Sequence, residues 1–148
     1  MNESKFGKYI VTELKIPEGY GGGQHAIDDS RARLLFLDDS LVKGAFYLSA
    51  TWYLKDSDER IPPPTHTHEH DEIIAFFGSN PDDVQDLGGE LEIWLGGEQH
   101  FVTKSCLIFV PSGLSHCPFW VRKMKRPILH FTTAPMGAYA KKEASDGE

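Results

Sequence analysis

From Tyr9 to Thr132 the chain is a succession of short β-branched and aromatic runs separated by glycine and proline, and no long stretch carries apolar residues at helical spacing. The runs fall at 9–12, 33–37, 46–54, 73–77, 91–95, 98–102, 106–110, 115–121 and 128–132. Gly21-Gly22-Gly23 and Pro62-Pro63-Pro64 break the first half, and Gly78-Ser79-Asn80-Pro81 with Gly88-Gly89 frames a loop. Within that loop 82–87 has room for one helical turn. Gly96-Gly97 reads as a tight hairpin, and Pro111-Ser112-Gly113 as a second turn. Short strands at this spacing predict an all-β sandwich or barrel. With 148 residues, the chain is the size of one domain.

The segment His66-Thr67-His68-Glu69-His70-Asp71-Glu72 holds three of the chain's 7 histidines. Side chains alternate faces along a strand, so His66 and His68 point the same way and can share a metal ion. Glu72 has the same parity, but an unbroken strand would carry it about 20 Å from His66, at about 3.3 Å per residue. The chain therefore has to turn at Glu69, His70 and Asp71, with Glu72 opening the returning strand. A second frame, His68 with His70, also forms a His-x-His pair, but no carboxylate follows it at the same spacing. A further ligand has to arrive from a distant strand, and His116, aimed by the turn at Pro111-Ser112-Gly113, supplies it. Three imidazoles and one carboxylate suit one divalent transition ion, Fe, Mn, Ni, Co or Zn, and do not suit calcium or magnesium. An octahedral ion with four protein ligands keeps two positions for water, a chelating substrate or dioxygen.

These segments resemble the two motifs of the cupin superfamily. His66-x-His68-x-x-x-Glu72, followed by Gly78, is similar to the first motif, and Pro111-x-Gly113-x-x-His116 to the second. The resemblance spans roughly 46–132. It implies a cupin-type jelly-roll barrel (a double-stranded β-helix) forming a single domain. Residues 46–133 would form the barrel core, 1–45 would add N-terminal strands packing on it, and 134–148 would be a polar tail. It also implies that His66, His68, Glu72 and His116 are the metal ligands, and that the chain pairs as a homodimer, with 46–54 and 9–15 as interface elements.

The remaining residues bound the function. A net charge of -7 argues against non-specific binding to nucleic acid or anionic lipid, and no apolar run approaches the length that crosses a bilayer. No apolar stretch of the secretion-signal kind follows Met1, so the expected location is the cytoplasm, with Cys106 and Cys117 reduced. Cys117, next to His116, is expected on the opposite strand face as a packed thiol. The basic run Arg122-Lys123-Met124-Lys125-Arg126 reads as a solvated hairpin. For the pocket wall, Phe76 shares the parity of Glu72, Trp94 lies on a central strand, and at most one of Tyr47 and Trp52 faces inward. His130, between Leu129 and Phe131, reads either as a satisfied half-buried histidine or as a catalytic acid/base or substrate-binding group. His25 and His100 read as surface residues. The functional expectation is a metal-dependent enzyme, an isomerase, lyase or dioxygenase, acting on a small oxygenated molecule such as a keto acid, enol or sugar-like acid. A non-catalytic module that binds or senses a small ligand is the alternative.

Overall fold

A computed structural model describes residues 4–17, 29–57, 64–136 and 142–143. Gly21-Gly22-Gly23, His25, Pro62, Pro63 and most of the tail lie outside the described residues. Among the described residues ten strands form in chain order: β1 (Arg31–Leu37), β2 (Tyr47–Tyr53), β3 (His66–Thr67), β4 (Glu72–Phe77), β5 (Asp86–Leu95), β6 (Glu98–Lys104), β7 (Cys106–Val110), β8 (His116–Arg122), β9 (Ile128–Ala134) and β10 (Lys142–Glu143). They make two 5-stranded sheets, ordered β1-β2-β9-β4-β7 and β10-β3-β8-β5-β6, and the pairings are antiparallel. Strands distant in the chain are neighbours in both sheets, which is the jelly-roll arrangement.

Alternation along the strands sends one set of side chains between the sheets. Ile74 and Phe76 from β4, Leu91 and Ile93 from β5, and Phe119 and Val121 from β8 meet there at 8% exposure or less. Phe76 thus faces inward as expected, and so does Tyr47, whereas Trp52 has the opposite parity. Gly96 and Gly97 carry φ of 58° and 83°, the left-handed pair that a two-residue hairpin between β5 and β6 requires.

The structure departs from the sequence reading in several places. The run at 9–12 is not a strand: Gly7–Tyr9 forms one 3-10 turn, and the chain beyond it is extended and mostly exposed. β-Branched residues favour extension, but a strand also needs a partner. The loop after Gly78 ends sooner than read, because Leu87, Gly88 and Gly89 belong to β5 and 82–87 forms no helical turn. A Cβ on Gly89 would lie 3.1 Å from the Arg122 carbonyl oxygen, so close strand packing accounts for this glycine. The basic run at 122–126 is not a hairpin but a connection between sheets, from β8 to β9. The polar tail contributes β10, which pairs with β3 through Lys142 and Glu143. Trp94 does not wall the interior: its indole N–H donates to Glu92 Oε2 at 3.2 Å, on the face of β5 opposite Leu91 and Ile93. No helix among the described residues is long and apolar enough to cross a membrane.

Candidate metal centre

His66, His68 and His116 converge, with one potential ligand atom from each lying within 4.8 Å of the others, all three side chains being buried. The local chain explains the convergence. β3 and β8 pair directly at His66 and His116, which brings those rings to 4.3 Å between centroids. The chain turns after His68, as the reach argument requires, and Glu72 opens β4 in the other sheet. Two hydrogen bonds tie that turn to the second motif: Gly113 N–H donates to His68 O at 2.8 Å, and Ser112 N–H donates to Asp71 Oδ1 at 2.9 Å. His70 does not join the cluster. It stacks on His68 at 4.6 Å, and its Nδ1 hydrogen-bonds the Asp71 carbonyl at 3.0 Å.

The tautomers follow from the partners. His66 Nδ1 lies 2.7 Å from Pro64 O and His116 Nδ1 lies 3.0 Å from Leu114 O. A carbonyl oxygen only accepts, so both Nδ1 atoms carry the proton and both Nε2 atoms present lone pairs. Glu72 Oε1 stands 3.5 Å from His68 Nε2 and 3.2 Å from His116 Nε2. Even so, His116 Nε2 is buried without a partner in hydrogen-bonding geometry. An imidazole lone pair and a carboxylate oxygen held this close, away from water, call for a cation between them. The donor set therefore fits a metal ion. Burial would raise the Glu72 carboxyl, but in the metal-free protein hydrogen bonds and charge from His116 and His68, in their protonated forms, more than reverse this and hold it at about 2.

No protein-family model matches the sequence, and no curated protein matches it. Solved structures do match in shape. A recombinant oxalate oxidase in complex with glycolate superposes with a TM-score of 0.55 at 14% identity, over 93% of this chain and 64% of that one. A second oxalate oxidase structure gives 0.51 at 15% identity, over 80% and 57%. The chain thus spans less than two thirds of the length of either. A RmlC-like cupin from Shewanella frigidimarina matches at 18% identity over 80% and 92%, with a TM-score of 0.44. The chain has the cupin fold.

Within this cupin barrel, β8 is irregular beside the cluster. Three residue steps on β8, from His116 to Phe119, face two on β5, from Leu95 to Ile93. Cys117, at φ 73°, takes up the extra residue. Cys117 is consequently buried like His116 and packs in the core, rather than pointing to the opposite face.

His130, half-buried, lies on the inner face of β9 between Thr51 and Phe76. Its ring stacks on Phe76 at 4.4 Å and meets the rings of Phe119 and Tyr53 at 5.4 and 5.8 Å. Its Nδ1–H donates to Ala75 O at 3.1 Å, leaving Nε2 as an acceptor. Burial pushes the imidazole down to about 4, with the positive charges of Arg31 and Arg33 adding to this, and the hydrogen bond to Ala75 O and the negative charge of Glu72 opposing it. The neutral form is therefore the one present at neutral pH.

The inner face of the first sheet differs from the rest of the cupin interior. Ser49 and Thr51 are buried there, and Tyr47 Oη lies 3.0 Å from Thr132 Oγ1. Arg33 Nη1 donates to Ser49 Oγ at 2.7 Å. The sequence reading missed this polar wall. The arginines open a strand that looks merely apolar, and only their register with β2 shows that they face inward.

Proposed function

We propose that this cupin is a metal-dependent enzyme that binds one divalent transition ion through His66, His68, Glu72 and His116 and acts on a small oxygenated molecule, a keto acid, enol or sugar-like acid. The observation that carries the reading is the buried His116 Nε2, facing Glu72 Oε1 at 3.2 Å with no hydrogen-bond partner. When bound, the ion would supply Lewis-acid or redox chemistry at the positions the protein leaves open. The chain's own contribution is to fix the donor atoms. Carbonyls of Pro64 and Leu114 hold two imidazoles in the ligating tautomer, and Glu72 brings a carboxylate across from the other sheet. His130, neutral and walled by aromatic rings, would accept a hydrogen bond from the substrate or hold its proton at Nε2. Elemental analysis of the purified protein, followed by absorption spectra with and without oxygen, tests the reading. One equivalent of transition metal is expected, and an oxygen-sensitive iron spectrum would select the dioxygenase form. Absence of metal together with no uptake of added cobalt would refute it.

The same reading includes a homodimer. The outer face of the first sheet carries Trp52, Ile73, Phe77, Leu107, Phe109 and Phe131, with Ile73, Leu107 and Phe109 at 37%, 65% and 60% exposure. Apolar residues exposed side by side on one sheet mark an interaction surface. The outward positions of β2, β4, β7 and β9 bear no charge. A second copy laid on this face by a two-fold axis would therefore bury no unpaired ion.

A further inference from the structure

We propose that Arg31 and Arg33, on the inner face of β1, form the anion-binding end of the substrate pocket, and that the substrate is therefore a small carboxylic acid. The inference rests on the metal reading above and narrows its substrate class. β1 pairs with β2 so that Arg31 stands opposite Tyr53 and Arg33 opposite Thr51, and both partners are buried inward-facing residues. The Arg33 row continues across the sheet through His130 to Phe76. Arg33 does not extend away from the barrel: its guanidinium reaches Ser49, one pleat nearer the histidine cluster. Both arginines are half-buried. Arginine is seldom drawn against a barrel interior, because the guanidinium loses hydration there. Their charges are felt at His130.

Overall charge gives an independent reason. At -7, the chain as a whole repels anions, so an acid entering this interior needs cations placed locally. A guanidinium suits a carboxylate because its planar fork donates two parallel hydrogen bonds. Along β4, the Phe76 row and Glu72 lie about 13 Å apart at about 3.3 Å per residue. Arg33 leans into that interval through its hydrogen bond to Ser49, whose row on the sheet lies between those of Phe76 and Glu72. One end of such an acid would meet the guanidinium and the other the open positions of the ion.

Pyruvate and its methyl ester, which replaces the carboxylate by a neutral ester, probe the arginine end by calorimetry. Cobalt(II) absorption of the full chain reads the histidine end separately. Pyruvate is expected to bind and the ester to bind at least about tenfold more weakly. Arg33→Met should weaken pyruvate by a similar factor and leave the cobalt spectrum unchanged, while Arg33→Lys, which keeps the charge but not the fork, should fall between. Equal binding of acid and ester, unaltered pyruvate binding by Arg33→Met, or no pyruvate binding at all would overturn the assignment. So would inorganic phosphate competing as well as pyruvate in an Arg33-dependent way. Loss of the cobalt spectrum alone, with the pyruvate pattern intact, would instead refute the metal reading.

Discussion

At His116 the constraints on a single side chain are most complete. One ring nitrogen is committed to Leu114 O, and the other is buried beside Glu72 without a hydrogen bond. His116→Ala or His66→Ala should therefore lower metal affinity by more than the roughly 10–100-fold that follows loss of an outer-shell partner. His70→Ala should leave it near wild type, and metal content after dialysis checks all three. His130 makes a different prediction. Its ordinary value is 6.5 and burial lowers it to about 4 in the folded protein, so the unfolded chain binds the proton more readily. Its contribution to stability is complete above about 6.5 and is lost as pH falls toward about 4. Denaturant unfolding of metal-free protein across that window should show stability falling with pH, and His130→Gln should flatten the slope. The histidine and glutamate cluster was legible in the sequence because its spacing is tied to reach: a strand places His66 beside His68, and only a turn returns Glu72. Arg31 and Arg33 were not legible. Nothing local distinguishes an inward arginine from an outward one until the neighbouring strand is known.

Among the elements, β4, β7 and β8 are legible in the sequence because each is rich in β-branched and aromatic residues that favour extension, whichever face those residues take. Errors fell where pairing rather than composition decides. Residues 9–12 have strand propensity but no strand partner among the described residues, and Lys142–Glu143 have a partner without propensity. Gly88 and Gly89 look like loop because glycine usually punctuates, yet within β5 Gly88 takes a φ of 73° and Gly89 lets the strand pass close to its neighbour. Gly78 is the sharper case. A Cβ built on it would stand 1.9 Å from the Asp86 carbonyl oxygen, which is backbone and cannot swing aside. Gly78→Ala should thus cost about 1–3 kcal/mol by displacing β4 from β5, measured by chemical denaturation. A stability unchanged within error would mean that this close approach is not present in solution.

For the molecule as a whole, the uncharged outer face of the first sheet predicts association. Light scattering should give twice the 16.6 kDa chain mass, and Leu107→Glu with Phe109→Glu should return it to one. Both positions are exposed, so the double variant should keep its circular dichroism. Metal at about a hundredfold excess over its dissociation constant would add about 2.7 kcal/mol to the native state. A chelator should then lower the melting temperature by about 5–10 °C. Glu72 opens a strand of one sheet, whereas His66 and His116 face each other in the second. An ion held by all of them would rivet the two layers at one rim of the barrel and leave the opposite rim, near Tyr53 and Ile128, unfastened. Amide hydrogen exchange should therefore slow on metal loading around Glu72, Gly113 and His116, while amides near Tyr53 and Ile128 keep their rates. The barrel would breathe from one end only.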